Sequence, residues 1–154
     1  MNDKLGKIKN FRRFLLNQID QLTSEQLNKI PAGYTNNIIW NVDHLIAATQ
    51  SLCYTRAGLP ITVDDRYVSP YMPGTKPERY VDEQEIDTIK SLLITSMDQL
   101  NADANNHLFA QYSPSAMIPK QYGVEVNTLD DAIDFLLYHD GFHAGYILSL
   151  KHLV

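Results

Sequence analysis

The residues best able to do chemistry in this chain lie in one short run, His139-Asp140-Gly141-Phe142-His143. Two histidines four apart on a helix share a face, offset by roughly 40° and about 6 Å of rise. Both imidazoles can then turn toward one point, which is what a metal ion demands of a helix. Their face is the informative part. In a helical projection of 129–150, Leu129, Ala132, Ile133, Leu136, Ile147 and Leu150 form one apolar stripe, and both histidines fall inside it. An imidazole buried there is costly unless it finds a partner. Spacing and face leave two explanations: a metal ion between the rings, or core histidines that are hydrogen bonded or face a wet groove.

A metal site needs a third ligand from another element, and His44 is the best placed candidate. It belongs to a separate helix, on a face shared with Trp40, Ala47, Ala48 and Ser51 and turned well away from that helix's main stripe. His107 falls in a connection and His152 near the C-terminus, where surface positions are expected. Three neutral imidazoles would leave positions open for water or substrate, as catalytic rather than structural sites do. The pair is not a zincin signature, because Glu does not follow His139. Asp140 projects near the same face, either as an acceptor for an imidazole N–H or as a solvated carboxylate at the stripe's edge.

Four amphipathic helices are predicted to position these residues. Apolar side chains at 5, 8, 11, 15, 19 and 22 mark the first, and Thr23 with Gln26 forms a capping box for a short turn that Pro31 ends. One of Thr35, Asn36 or Asn37 opens the second, which runs to about Arg56 and stops at Gly58 and Pro60. Asp82 with Glu85 starts the third, and Asn127-Thr128 the fourth. Between second and third, residues 57–81 carry Pro60, Pro70, Pro73 and Pro77 with Tyr67, Tyr71 and Tyr80, a length typical of lids and pocket walls. A second long connection covers about 104–127. The expected fold class is all-α, a single four-helix bundle filling residues 1–154 as one domain.

Composition narrows the function classes. A chain of 154 residues, 44% apolar and 20% charged, reads as a soluble globular protein. Its net charge of −5 argues against a general nucleic-acid binder. No window reaches the ~18 apolar residues of a membrane span. Cys53 is the single cysteine, which rules out an internal disulfide and suits a reducing compartment, so a cytoplasmic location is expected. It projects onto an Ile/Leu stripe and reads as a buried thiol rather than a nucleophile. Lys4, Lys7, Lys9, Arg12 and Arg13 alternate with Leu5, Ile8, Phe11 and Leu15, the pattern of the wet side of an amphipathic helix. Gly74-Thr75-Lys76 lacks the glycine spacing of a P-loop, and no Ser-based nucleophile elbow is present.

Two blocks resemble the DinB-like (YfiT-like) proteins. "NNIIWNVDHLIAA" (36–48) is similar to that family's second-helix pattern, with an aromatic four residues before the first metal histidine. "LYHDGFHAGYI" (137–147) is similar to its last-helix pattern, and "YMPGTKPE" (71–78) to a loop carried before the third helix. The resemblance implies an up-down-down-up bundle, frequently a homodimer, with His44, His139 and His143 as a divalent-metal triad. Zn²⁺ or Ni²⁺ is the expected ion, with Mn²⁺ or Fe²⁺ as further options. It also implies a small-molecule substrate and a transferase using a low-molecular-weight thiol such as bacillithiol or mycothiol. The alternatives are a metal-dependent hydrolase and a non-catalytic bundle that binds a metal or small molecule. One departure stands out: Tyr146 replaces a frequent Gln, which implies an altered pocket contact.

Overall fold

Apolar period and polar caps between them account for where the helices begin and what they bury. The computed structural model describes residues 1–154, the side chain of Asn2 excepted. Helix α1 (Asn2–Ile19) buries Leu5, Ile8, Leu15 and Ile19, the spacing of one helical face. The Thr23–Gln26 capping box opens the short α2 (Ser24–Asn28). At α3 (Ile38–Thr49) the cap is Asn37, whose side chain accepts from the Trp40 N–H at 2.9 Å. Asp82 caps α4 (Glu83–Asn105) in the same way. A six-residue α5 (Met117–Tyr122) interrupts the second long connection, and α6 (Leu129–Lys151) opens on a capping box of Thr128 and Asp131. Each such cap stabilises its helix by about 1 kcal/mol.

Two features depart from simple periodicity. α3 does not continue as an α-helix to residue 56. It passes into a π-turn (Gln50–Tyr54) and a 3-10 turn (Thr55–Ala57), and the chain leaves through Gly58 in the left-handed region at φ +72°. The connection that follows is folded into 3-10 turns at Asp65–Tyr67 and Ser69–Tyr71. Tyr67 and Tyr71 are buried against the helices and Tyr80 is exposed.

The four long helices form a ring: α1 packs on α6 and α4, and α3 packs on α4 and α6. Every residue of α3 is buried. The described residues are all-helical, with turns between the helices and no strand. None of these helices is long and apolar enough to cross a membrane.

Arg12 corrects the reading of α1. It does not stand on a wet face but is fully buried at the centre of the ring. Its Nε donates to Asp140 Oδ2 on α6 at 2.7 Å, and Nη2 donates to Thr49 Oγ1 at 2.8 Å and the Leu45 carbonyl at 3.1 Å on α3. A longer bond, 3.4 Å, reaches the Leu93 carbonyl on α4. One guanidinium thus touches every other long helix. Its five fixed donors make this possible where a lysine would not serve.

Candidate metal centre

α3 and α6 face one another in the ring, and that contact brings the three histidines together. One nitrogen from each of His44, His139 and His143 lies within 4.8 Å of the others. The Nε2 atoms of His44 and His139 are 3.2 Å apart, close to the roughly 3.4 Å between two ligands of a tetrahedral Zn²⁺. His107 and His152 are exposed and stand apart, as the sequence suggests.

The second nitrogen of a ring decides where the first one points. His44 Nδ1 donates to the Tyr71 carbonyl at 2.6 Å, and the indole of Trp40 stacks on the ring with centroids 5.0 Å apart and planes 7° from parallel. His143 Nδ1 bonds Asn41 Oδ1 at 2.9 Å. Asn41 Nδ2 donates to the Asn37 carbonyl at 2.7 Å, so Oδ1 is the acceptor and the imidazole proton sits on Nδ1. Both rings therefore turn a bare Nε2 to the centre, the arrangement that supports metal ligation. His139 differs. Its Nδ1 is buried without a partner, and Asp140 Oδ1 at 3.9 Å is beyond hydrogen-bond reach. Asp140 therefore does not serve as that acceptor. Burial alone would raise its carboxyl, but Arg12 beside it holds it below its ordinary value.

Burial also sets the charge state of the rings. It lowers His44 to about 4 despite the bond to Tyr71, and with the neighbouring imidazoles it lowers His143 to about 3. Neutral imidazole is the form that takes a metal. Near Tyr71 and Glu85, the buried Asp43 moves the opposite way: burial, then the charge of Glu85, push its carboxyl up to about 8. Neither of its oxygens is hydrogen bonded within the described structure.

These shifts oppose one another in metal-free protein. Below 6.5 the unfolded chain takes up two protons that folded His44 and His143 refuse until about 4 and 3. Above 3.8 the unfolded chain has lost a proton that folded Asp43 keeps to about 8. Between about pH 4 and 6.5 the unfolded state holds one net proton more, so stability rises with pH at about 1.4 kcal/mol per unit. From about 6.5 to 8 only Asp43 differs, and stability falls at a similar slope. Urea midpoints of chelator-treated protein at about pH 4.5, 6.5 and 8 are expected to peak at the middle value. A midpoint still climbing at the highest pH would show that Asp43 is ionised in the fold.

Beside the rings opens a cavity of about 170 Å³ with mostly aromatic and aliphatic walls, from Trp40 and Leu52 to Ile118 and Phe135. Ala48 and Ser51 line it with His44, as their shared face predicts. Tyr146 does not line it. Its ring packs edge-on against Tyr34, centroids 5.8 Å apart, so the expected altered pocket contact is not made by that side chain. Cys53 is fully buried away from the cavity, with burial pushing its thiol up to about 12. A larger cavity of about 390 Å³ lies on another side of Trp40 and Tyr71 and contains none of the three histidines. Asn41 and Arg56 are the site residues that sequence reasoning passed over. The available signal for Asn41 was an amide one helical turn after the Asn37 cap and three residues before His44.

Three imidazoles from two helices, positioned to hold a metal ion at the end of an apolar cavity, define an all-helical protein with a candidate metal centre. The chain belongs to the DinB superfamily, whose family model matches residues 8–147. No curated protein and no solved structure matches it.

Proposed function

We propose that this chain is a divalent-metal-dependent transferase that uses a low-molecular-weight thiol, with His44, His139 and His143 as the ligands. The observation that carries the reading is the pair of Nδ1-protonated imidazoles, His44 buried and His143 half-buried, whose bare Nε2 atoms converge at the end of the cavity. An ion bound there would supply an open position at which a thiol gives up its proton near neutral pH. The chain's own residues supply the rest. Trp40 and the Tyr71 carbonyl orient His44, Asn41 orients His143, and the apolar walls exclude water from the reacting end. Zn²⁺ and Ni²⁺ suit three imidazoles best, with Mn²⁺ and Fe²⁺ behind them.

A second reading, a bundle that binds a metal or small molecule without catalysis, is favoured by one observation. The cavity lining contains no Asp, Glu or Lys to act as a further acid or base. The same observation counts against a metal-dependent hydrolase. The experiment is to load tag-free, chelator-treated protein with Zn²⁺ or Ni²⁺ and add mercaptoethanol. Stoichiometric metal and a new sulfur-to-nickel absorption band are expected. Metal uptake without any thiol-dependent change would leave the binding reading in place of the transferase.

The family reading also carries the up-down-down-up course of α1, α3, α4 and α6, a homodimer and a cytoplasmic location. Support for the course is the ring order and the long 57–81 connection. Support for a second copy is the outer face of α6, where Tyr138 and Phe142 are 73% and 70% exposed beside the open Gly141 and Gly145. A monomer mass from sedimentation equilibrium would remove the dimer, and cell fractionation checks the location, for which the lone Cys53 is the support.

A further inference from the structure

The cavity beside the histidines is uneven in charge. Besides the histidines its neutral polar side chains are Ser51, Ser115, Gln121, Tyr122 and the indole of Trp40, and its one other basic side chain is Arg56. That guanidinium is held in place. Nη1 donates to the Pro114 carbonyl at 2.7 Å and more weakly to Ser113 at 3.4 Å, and the Ser113 N–H bonds back to the Arg56 carbonyl at 2.7 Å. Nε and Nη2 make no hydrogen bond to the described residues, and no carboxylate among them pairs with Arg56. Half of a rigid fork is thus anchored and half is free.

Local backbone explains how Arg56 reaches the cavity. A continuous α-helix would carry residue 56 about 120° around from residue 44, onto another face. The π-turn advances by a smaller angle per residue and the 3-10 turn after it by a larger one, which together leave residue 56 roughly 70° from His44, on the side that the cavity-lining Ala48 and Leu52 share. Ala48, Ser51 and Leu52 line the cavity between the two. Single π-turns inside helices are frequent at functional sites, and here the re-aimed residue is the arginine.

We propose that Arg56 recognises a carboxylate at the far end of the substrate whose near end reaches the three histidines. This rests on the proposed metal site. Charge supports it: the histidine end would carry a divalent ion, the distal end carries Arg56, and the nearby Asp140 is already neutralised by Arg12. A ligand with an anionic group at each end therefore meets a cation at each end, while a neutral tail forgoes the charge-assisted bonds that the free, half-exposed side of the fork offers. Length also fits. Residues 44 and 56 are roughly 17 Å apart along the helix, and Arg56 leans back about 6 Å of that, leaving room for a chain of about six carbons.

The test uses the full chain loaded with Ni²⁺, its content checked by elemental analysis, and reads binding by calorimetry. Two probe pairs are compared: ω-mercaptohexanoate with mercaptohexanol, and hexanedioate with hexanoate. Wild-type protein is expected to prefer the first of each pair by roughly 10-fold or more. In Arg56→Gln both preferences collapse while mercaptohexanol is still bound, and the thermal midpoint falls only slightly, as loss of the bonds to Pro114 and Ser113 requires; Arg56→Lys recovers part of the preference. A merely structural arginine would lower the midpoint and leave the ratios alone. If the thiols fail to bind but the dicarboxylate preference depends on Arg56, the thiol reading falls and the carboxylate site stands. If no probe binds, or no preference depends on Arg56, the proposal is overturned. Absence of both Ni²⁺ and Zn²⁺ uptake would end the metal site and this proposal together.

Discussion

An Arg12→Met variant is expected to lose about 3–5 kcal/mol of folding stability, a large share of the roughly 5–15 kcal/mol that holds a domain of this kind together. The reason is what the substitution strands. Asp140, 1% exposed and ion-paired with Arg12, would be left either as an unpaired buried charge or with a proton it must take up to fold. Thr49 Oγ1 and the Leu45 carbonyl would lose a donor as well. Removing both charges is a different matter, because the double variant Arg12→Met/Asp140→Leu leaves no ion to desolvate. It is expected to recover most of the loss. Urea unfolding of the two variants separates the cases, and a single-variant loss under about 1 kcal/mol would mean that Asp140 is not held as a buried carboxylate.

His143→Ala is expected to weaken Zn²⁺ binding on the order of 100- to 1,000-fold, about one ligand's share of the free energy of a multidentate zinc site. Asn41→Leu is the graded companion. It leaves all three imidazoles in place but removes the acceptor that keeps the His143 proton on Nδ1. A loss of about 10- to 100-fold is expected, the range for the groups that hold a metal's ligands in position. Competition against a chromophoric chelator measures both. Wild-type affinity in His143→Ala would dismiss the triad, and wild-type affinity in Asn41→Leu would show that the ring orients itself without help.

Most of the frame was legible in the chain because its signals are local. The caps at Thr23, Asp82 and Thr128 each rest on a side chain and an N–H three residues away, and all are found in place. The histidines were legible for a related reason: an i, i+4 pair inside an apolar stripe conflicts with its surroundings, and burial of a third histidine on another helix completes the cluster. Arg12 was not legible. A basic residue among other basic residues looks solvated, and its burial depends on acceptors 33, 37, 81 and 128 residues away in sequence. Arg56 failed for a geometric reason, since a 3.6-residue period assumes an uninterrupted α-helix and the π-turn breaks that assumption. Asp140 misled through adjacency: it neighbours His139 in sequence, yet its oxygens turn to the interior and to Arg12.

The bond from His44 to the Tyr71 carbonyl has a consequence for how the site tolerates change. The acceptor is a peptide oxygen, which every amino acid carries, so no replacement of the Tyr71 side chain deletes it. What fixes the ring is the path of the chain between Gly58 and Val81, which delivers that oxygen to the right place. Sequence drift at the exposed positions of this segment is therefore compatible with an intact His44, as long as the buried Tyr67, Val68 and Tyr71 still hold the path. The site is protected by a few buried anchors of the loop and is indifferent to the rest of its side chains.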